Sequence, residues 1–404
     1  MRNWQASPLR TALTLALLAI ASPALHAEDA MNSTSSHFAY IGTYNPNGEG
    51  VYRVEVDPAS GALSAKTLVS NQPNPAQLTL DAQGRTLYVA SEVADFNGSK
   101  HGGIIAYRIN PVDGGLTQLN QVDSQGAGPV YLSLTPDGRH LLVANYVSGT
   151  VAAFPVESDG KLGNASSVQQ DQGPAGASKP AAAVEGSFAA SDHNGPHAHM
   201  IACDPSGKFV FSTDLGLDRL YQWRFDGASG QLTPNDPPWI AASSAGAGPR
   251  HFVFHPDGKT VLLVNEEAST LTSYRFDSQK GTLKQLHIVS SLPADYKGTS
   301  FASGLVLSED GKNLYVANRL HNSIAQFSVG ADGELKPVAE IWTRGDYPRS
   351  LTLSPDGHYL YAMNQRSDNV TRFSLDKASG KLSFVEGYTP VGSPSQMVFL
   401  PVAK

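Results

Sequence analysis

One seven-residue phrase recurs seven times along this chain, and no other feature of the sequence narrows the fold as far. It reads FAYIGTY (Phe38–Tyr44), TLYVASE (Thr86–Glu92), HLLVANY (His140–Tyr146), FVFSTDL (Phe209–Leu215), TVLLVNE (Thr260–Glu266), NLYVANR (Asn313–Arg319) and YLYAMNQ (Tyr359–Gln365). Each copy is rich in β-branched and aromatic residues, which suit a strand packed on a pleated surface. Successive copies begin 46 to 69 residues apart, within and beyond the period of propeller and solenoid repeats. Seven such strands on a shared period imply one array.

Two further phrases keep the same period. Ahead of most copies stands a turn such as Thr135–Arg139 (TPDGR), His255–Lys259 (HPDGK), Ser308–Lys312 (SEDGK) or Ser354–His358 (SPDGH), in which Asp-Gly supplies the positive φ of a tight hairpin. After each copy comes a second hairpin of the type ASGAL (Ala59–Leu63) or ASGKL (Ala378–Leu382). Each repeat thus holds about four short antiparallel strands, the content of a propeller blade. No long stretch keeps an apolar period of 3.6, which excludes a helical solenoid. The expected fold is all-β: a seven-bladed β-propeller of four-stranded antiparallel blades. The first repeat begins at its second or third strand, and SPSQMVFL (Ser393–Leu400) is left over at the C-terminus. Pairing this strand into the first blade would close the ring and remove its edges.

The 404 residues would allow two or three domains, but the repeat runs from Phe38 to Leu400 without a separately folding insertion, so 38–404 reads as one propeller domain. Residues 1–27 read as a secretory signal: Arg2 and Arg10, an apolar run over Thr11–Ala21, and small residues ending Leu25-His26-Ala27. That run is shorter than the ~20 residues that span a bilayer, so no membrane association is expected after cleavage. Residues 28–37 then form a short linker, and the expected location is the periplasm. The single cysteine, Cys203, cannot pair within the chain and reads as a small core residue. A net charge of −7 argues against nucleic acid as a partner, because phosphate backbones need a basic surface. The Gly-, Ala-, Ser- and Pro-rich stretch Val168–Asn194 explains the longest spacing and is expected to be a loop that could fold over a pocket mouth.

Propellers carry chemistry where loops and innermost strands meet around the central channel, so equivalent positions that depart from the repeat average are informative. Aligned on the turn, the third position of each opening strand reads Ala76, Val130, His199, Arg250, Ser303, Arg349 and Ser395. The seventh position of the repeated phrase reads Tyr44, Glu92, Tyr146, Leu215, Glu266, Arg319 and Gln365. Both sets fall on one side of the ring, so His199, Arg250, Glu266 and Arg319 should cluster at one mouth, with Arg349 and His251 close by. The competing account is that these charges tie blades together as structural ion pairs. Their concentration on neighbouring blades favours a site. His193, His197 and His199 have a spacing that could serve a metal, but arginine neither ligates nor tolerates a cation, so no metal or other cofactor is expected. His197 and His199 alternate on a strand and should face the same way, so that one could position the other or the loop.

The chain resembles the propeller lactonase family that contains the 6-phosphogluconolactonases and the fungal carboxy-muconate cyclases. The resemblance covers nearly the whole sequence after the signal. Its most specific part is GPRHFVFHPDGK followed by VNE (Val264–Glu266), with the His segment before CDPSGK, ANR at Ala317–Arg319 and PRS at Pro348–Ser350. It implies an active-site group of His199, Arg250, Glu266 and Arg319, and no metal. The implied activity is hydrolysis of a small sugar lactone, and the export signal favours an unphosphorylated, gluconolactone-type substrate. Glu266 would activate water, with His199 sharing or exchanging that role. Arg250 and Arg319 would stabilise the oxyanion, while Arg349, His251 and His197 would bind substrate. A 6-phosphogluconolactonase, a muconate-type cycloisomerase and a non-catalytic binding propeller are the alternatives.

Overall fold

The computed structural model describes residues 37–190 and 193–401. The expected signal segment and all but the last residue of the expected linker lie outside the described residues. Among the described residues, strands form seven four-stranded antiparallel sheets, each ordered from its innermost to its outermost strand. The innermost strands of blades 2 to 7 are Pro75–Leu80, Pro129–Leu134, Ala198–Cys203, Pro249–Phe254, Phe301–Leu307 and Pro348–Leu353. In blade 1 the innermost strand is Pro394–Phe399, which pairs antiparallel with His37–Thr43. The expected seven-bladed propeller with C-terminal closure is therefore the fold, and the first repeat starts at its second strand.

The repeated phrase forms the second strand of every blade, and its residues are almost all buried. Its alternating side chains face the two neighbouring blades in turn. The result is seven apolar clusters, each shared between adjacent blades, as Ile41 and Met397 of blade 1 pack with Tyr361 and Met363 of blade 7. A second tie links the two kinds of repeated phrase. Tyr40, Tyr88, Tyr315 and Tyr361 each donate their hydroxyl to the carbonyl of a hairpin glycine in the next blade: Gly114, Gly160, Gly380 and Gly61. Each of these glycines has a positive φ, which glycine adopts without steric cost. Buried phenols need such acceptors, so the ring is stitched by polar bonds as well as by apolar burial.

The stretch expected as one loop begins instead as the fourth strand of blade 3, Ser167–Gln170. Further along, Gly176 and Ala181 are tied to the turns of blade 4. Gly176 N–H donates to Gly216 O at 2.7 Å, and Ala181 N–H to Ala245 O at 2.9 Å. Cys203 is partly buried against the cluster between blades 3 and 4, and burial pushes its thiol up to about 12, which leaves it unreactive.

Candidate active site

Every innermost strand carries a register shift at the same place, beside the third position of the sequence alignment. Pairing skips Ala76, Val130, His199, Arg250, Arg349 and Ser395, and slips around Ser303-Gly304. A β-bulge leaves one residue out of the ladder and re-aims its side chain. Repeated seven times, it brings all these positions except Ser303 to the wall of a central cavity of about 220 Å³. His199, Arg250, His251 and Arg349 are among its lining residues.

Glu266 and Arg319 adjoin that wall through Arg250. Glu266 Oε2 accepts from Arg250 Nε at 2.8 Å and pairs with Arg319 Nη2 at 2.8 Å, with His199 Nε2 3.9 Å away. All three contacts converge on Oε2 and leave Oε1 clear of them. Arg250 also donates from Nη1 to Ser303 O at 2.8 Å and approaches His251 Nδ1 at 3.1 Å. Arg319 donates from Nη2 to Ala302 O, while its buried Nε has no acceptor among the described residues. On the far side of the channel, Arg349 Nη2 lies 3.7 Å from Glu92 Oε2, its guanidinium is 4.8 Å from the Tyr44 ring, and the Tyr44 hydroxyl donates to Glu92 at 2.5 Å.

Electrostatics follow from this packing. Burial, the Arg250 charge, His251 and Arg349 hold His199 well below the ordinary histidine value, so its imidazole is neutral near pH 7. His251 is held down likewise by burial and by Arg250, Arg349 and Arg319. Burial alone would raise Glu266, but Arg319 and Arg250 overcome it and keep the carboxyl below its usual range. Burial lowers Arg250 to about 10 against the pull of Glu266, and it stays charged at neutral pH. Arg349 is raised despite its burial, by Tyr44 and Glu92. The site thus holds three guanidinium cations, two carboxylates and two neutral imidazoles.

His197 does not join this group. Its Nδ1 meets Tyr146 O at 2.9 Å, its Nε2 meets Asn194 Oδ1 at 2.8 Å, and its ring stacks on Tyr146 at 4.7 Å. The bulge at His199 breaks the strand alternation, so the two imidazoles part: one enters the channel and the other anchors the preceding loop. His193 goes a third way and lies buried between Asp218 and Glu267 at 3.8 and 3.9 Å. The three histidines do not converge, and among the described residues no group of His, Cys, Asp and Glu could hold a metal ion. Ser303, in the same column as the arginines, donates to Pro348 O at 2.7 Å, as Ser395 does to Pro75 O at 2.6 Å. Both hydroxyls are used in joining blades.

The cavity also presents Gln77, Tyr131, Ser350 and Gln396, which supply neutral donors and acceptors. They occupy the column next to the bulge, where His251 also stands. Reading that column across the repeats is the signal by which the sequence reveals them.

The chain as a whole is similar to known proteins. Residues 38–399 match the family model described as a seven-bladed β-propeller lactonase. The 6-phosphogluconolactonase of Bacillus subtilis is 33% identical over 91% of this chain and 99% of its own length. The periplasmic gluconolactonase of Pseudomonas aeruginosa superposes with a TM-score of 0.81 at 32% identity, covering 91% of this chain and all of that one. A Lactobacillus plantarum protein gives 0.80 at 31% identity, over 91% and 100% of the two chains. The chain belongs to the lactonase family of seven-bladed propellers. It is an enzyme of the lactonase type, acting by lactone hydrolysis.

Proposed function

We propose that the protein hydrolyses an unphosphorylated, gluconolactone-type aldonolactone in the periplasm, at the channel site. The observation that carries this reading is the Glu266 carboxylate, with both Arg250 and Arg319 on one oxygen and the other clear of them. Three guanidiniums face two carboxylates here, so the site has one net positive charge to offer. That suits the single negative charge of an oxyanion or a carboxylate product better than an additional phosphate dianion. The neutral polar wall suits sugar hydroxyls, and the cavity's size suits one sugar ring.

In this mechanism a water donates to Glu266 Oε1, and neutral His199 offers a second acceptor. Attack on the lactone carbonyl forms a tetrahedral oxyanion facing Arg250 and Arg319. The ring C–O bond then breaks, the leaving oxygen takes up the proton from Glu266, and the new carboxylic acid gives its remaining proton to His199 and from there to solvent, which leaves the carboxylate against the guanidiniums. Glu266 is a weak base, so the largest share of catalysis falls on the preorganised arginines; one such oxyanion donor is worth roughly 10²–10³ in rate. Arg349 and His251 orient hydroxyls, and His197 positions the loop that leads into His199.

Export is supported by the N-terminal pattern of Arg2, Arg10 and Thr11–Ala21 and by the periplasmic designation of the Pseudomonas relative. Among the described residues no helix is long and apolar enough to cross a membrane.

The test is acid release from glucono-δ-lactone and from its 6-phosphate, side by side, for wild type and Glu266→Gln, with spontaneous hydrolysis subtracted. Turnover of the neutral lactone that is lost in the variant is the expected result. Preference for the phosphorylated lactone overturns the substrate choice, and turnover of neither overturns the hydrolytic reading.

A further inference from the structure

Tyr347 shares a backbone conformation with its counterparts in four other blades but not their small side chains. The residue before the innermost strand's proline has a positive φ in five blades: Asn74 (47°), Gly128 (66°), Gly248 (65°), Tyr347 (60°) and Ser393 (40°). In each, its carbonyl accepts from the backbone N–H at the seventh position of the repeated phrase, at Glu92, Tyr146, Glu266, Gln365 and Tyr44 respectively. The architecture therefore imposes this backbone conformation regardless of side chain. Glycine and asparagine adopt it readily, whereas a bulky side chain there is a true outlier. What tyrosine contributes must lie in its side chain.

The Tyr347 ring has the Arg366 guanidinium 3.9 Å from its centre and that of Arg319 at 5.1 Å. Its hydroxyl accepts from Arg319 Nη1 at 3.4 Å. Phe301 holds the equivalent position in blade 6, paired across the sheet with Arg319, and its ring lies 5.3 Å from the same guanidinium. Two rings from successive blades thus flank one cation, while its Nη2 keeps the 2.8 Å contact with Glu266. Strained backbone persists where surrounding structure over-determines it, and it clusters at functional sites.

We propose that Tyr347 is a positioning residue, retained in a strained conformation because its ring and hydroxyl fix the Arg319 guanidinium against Glu266. The catalytic consequence rests on the lactonase reading above. If Arg319 acts only on the transition state, loosening it lowers kcat and leaves KM nearly unchanged.

The test uses the mature chain with Tyr347→Phe and Tyr347→Asn, each measured for thermal midpoint, kcat, KM and crystal structure. Asparagine suits the backbone, so Y347N should melt at or above the wild-type temperature while kcat falls by roughly 10- to 100-fold, with KM within about twofold. Y347F keeps the ring and should retain most of the turnover. In the Y347N crystal Arg319 should leave its 2.8 Å contact with Glu266. Wild-type-like turnover in Y347N overturns the proposal, as does a lowered midpoint with Arg319 unmoved. If wild type itself turns over no lactone, the lactonase reading fails by that result, and the midpoint and the Arg319 position still decide the inference.

Discussion

The ring has two arcs built to one plan. In blades 1 to 3 the bulge places Ser395, Ala76 and Val130 at the channel, and in blades 4, 5 and 7 the same bulge places His199, Arg250 and Arg349 there. The backbone device is shared, so it cannot be what makes one arc chemical and the other plain. A repeat fold generates equivalent slots, and a site arises where a few are filled with charge against the pattern. Glu266 and Arg319, from the seventh column, then join those slots across blades 5 and 6.

Glu266→Gln should break this asymmetry most severely. It leaves two guanidiniums, each nearly inaccessible to solvent, facing a neutral amide. Uncoupling a buried ion pair costs about 3–5 kcal/mol, and lactone turnover should fall by at least ~10²-fold, assayed well below the variant's melting point. Glu92→Gln is the paired measurement in the other arc. Its carboxylate is a quarter exposed and sits 3.7 Å from Arg349, so its stability cost should be under ~1 kcal/mol. Equal losses in the two variants would show that the arcs do not differ in the way their residues suggest.

Arg349→Met comes next. Arg349 lines the cavity but does not touch Glu266, and its partners are Glu92 and Tyr44. If it orients hydroxyls, KM should rise by roughly tenfold with kcat within about threefold, a pattern of lost uniform binding. A kcat loss as large as that of Arg250→Met would move Arg349 into the group acting on the reacting carbonyl.

Much of this is legible in the sequence, because internal repetition serves as an alignment. The seven strands, the Asp-Gly turns and the closing strand follow from local patterns that the fold cannot override without losing its blade cores. The cluster of Glu266, Arg250, Arg319 and His199 was legible because charges in otherwise small or apolar columns have few places to go. What period alone does not reveal is the bulge, since the break it makes in the alternation falls at the second residue of a six-residue strand, with only one residue before it to show the change of face. For that reason plain alternation predicts that His197 faces the same way as His199, and Ser303 shares a column with the arginines although its hydroxyl joins blades. The tyrosine-to-glycine ties and Tyr347 depend on pairing between repeats, which reading each repeat in isolation does not supply.

The pH dependence distinguishes the arcs more gently. His199 and His251 are held below the ordinary value of about 6.5, so they stay neutral in the folded state while an unfolded chain would protonate them. Their depressed values make the unfolded state bind more protons below about pH 6.5, so stability is full above that pH and falls as pH drops. Glu266, also depressed, adds to the loss only below its unfolded value of about 4.3. The melting temperature of His199→Gln with His251→Gln should therefore fall less than that of wild type as pH drops below about 6.5, a comparison in which the opposite contribution of the raised carboxyls of Asp171, Asp214 and Glu267 is common to both proteins. Turnover should be level between about pH 6.5 and 7.5, since Glu266 and His199 are both unprotonated there. An acid limb centred near 6.5 would mean that an ordinary histidine, outside this cluster, controls the rate.

The smallest effect is the sharpest test of whether a slot's position or its occupant decides its role. Ser303 stands among the charged blades and Ser395 among the plain ones, yet both hydroxyls donate to the carbonyl of the proline that opens the next blade's innermost strand, at 2.7 and 2.6 Å. Ser303→Ala and Ser395→Ala should each cost about 1 kcal/mol in chemical denaturation, the net worth of one buried hydrogen bond with an acceptor left behind. Both should change kcat/KM by less than about twofold. Equal, small effects would mean that a bulge beside the active arginines is architecture until a charged side chain fills it. If Ser303→Ala instead lost turnover while Ser395→Ala did not, the Ser303 hydroxyl would be acting on substrate, or its blade would be setting Arg250 through the Arg250 Nη1 to Ser303 O bond at 2.8 Å. A crystal structure of the variant separates those cases by whether that distance is kept.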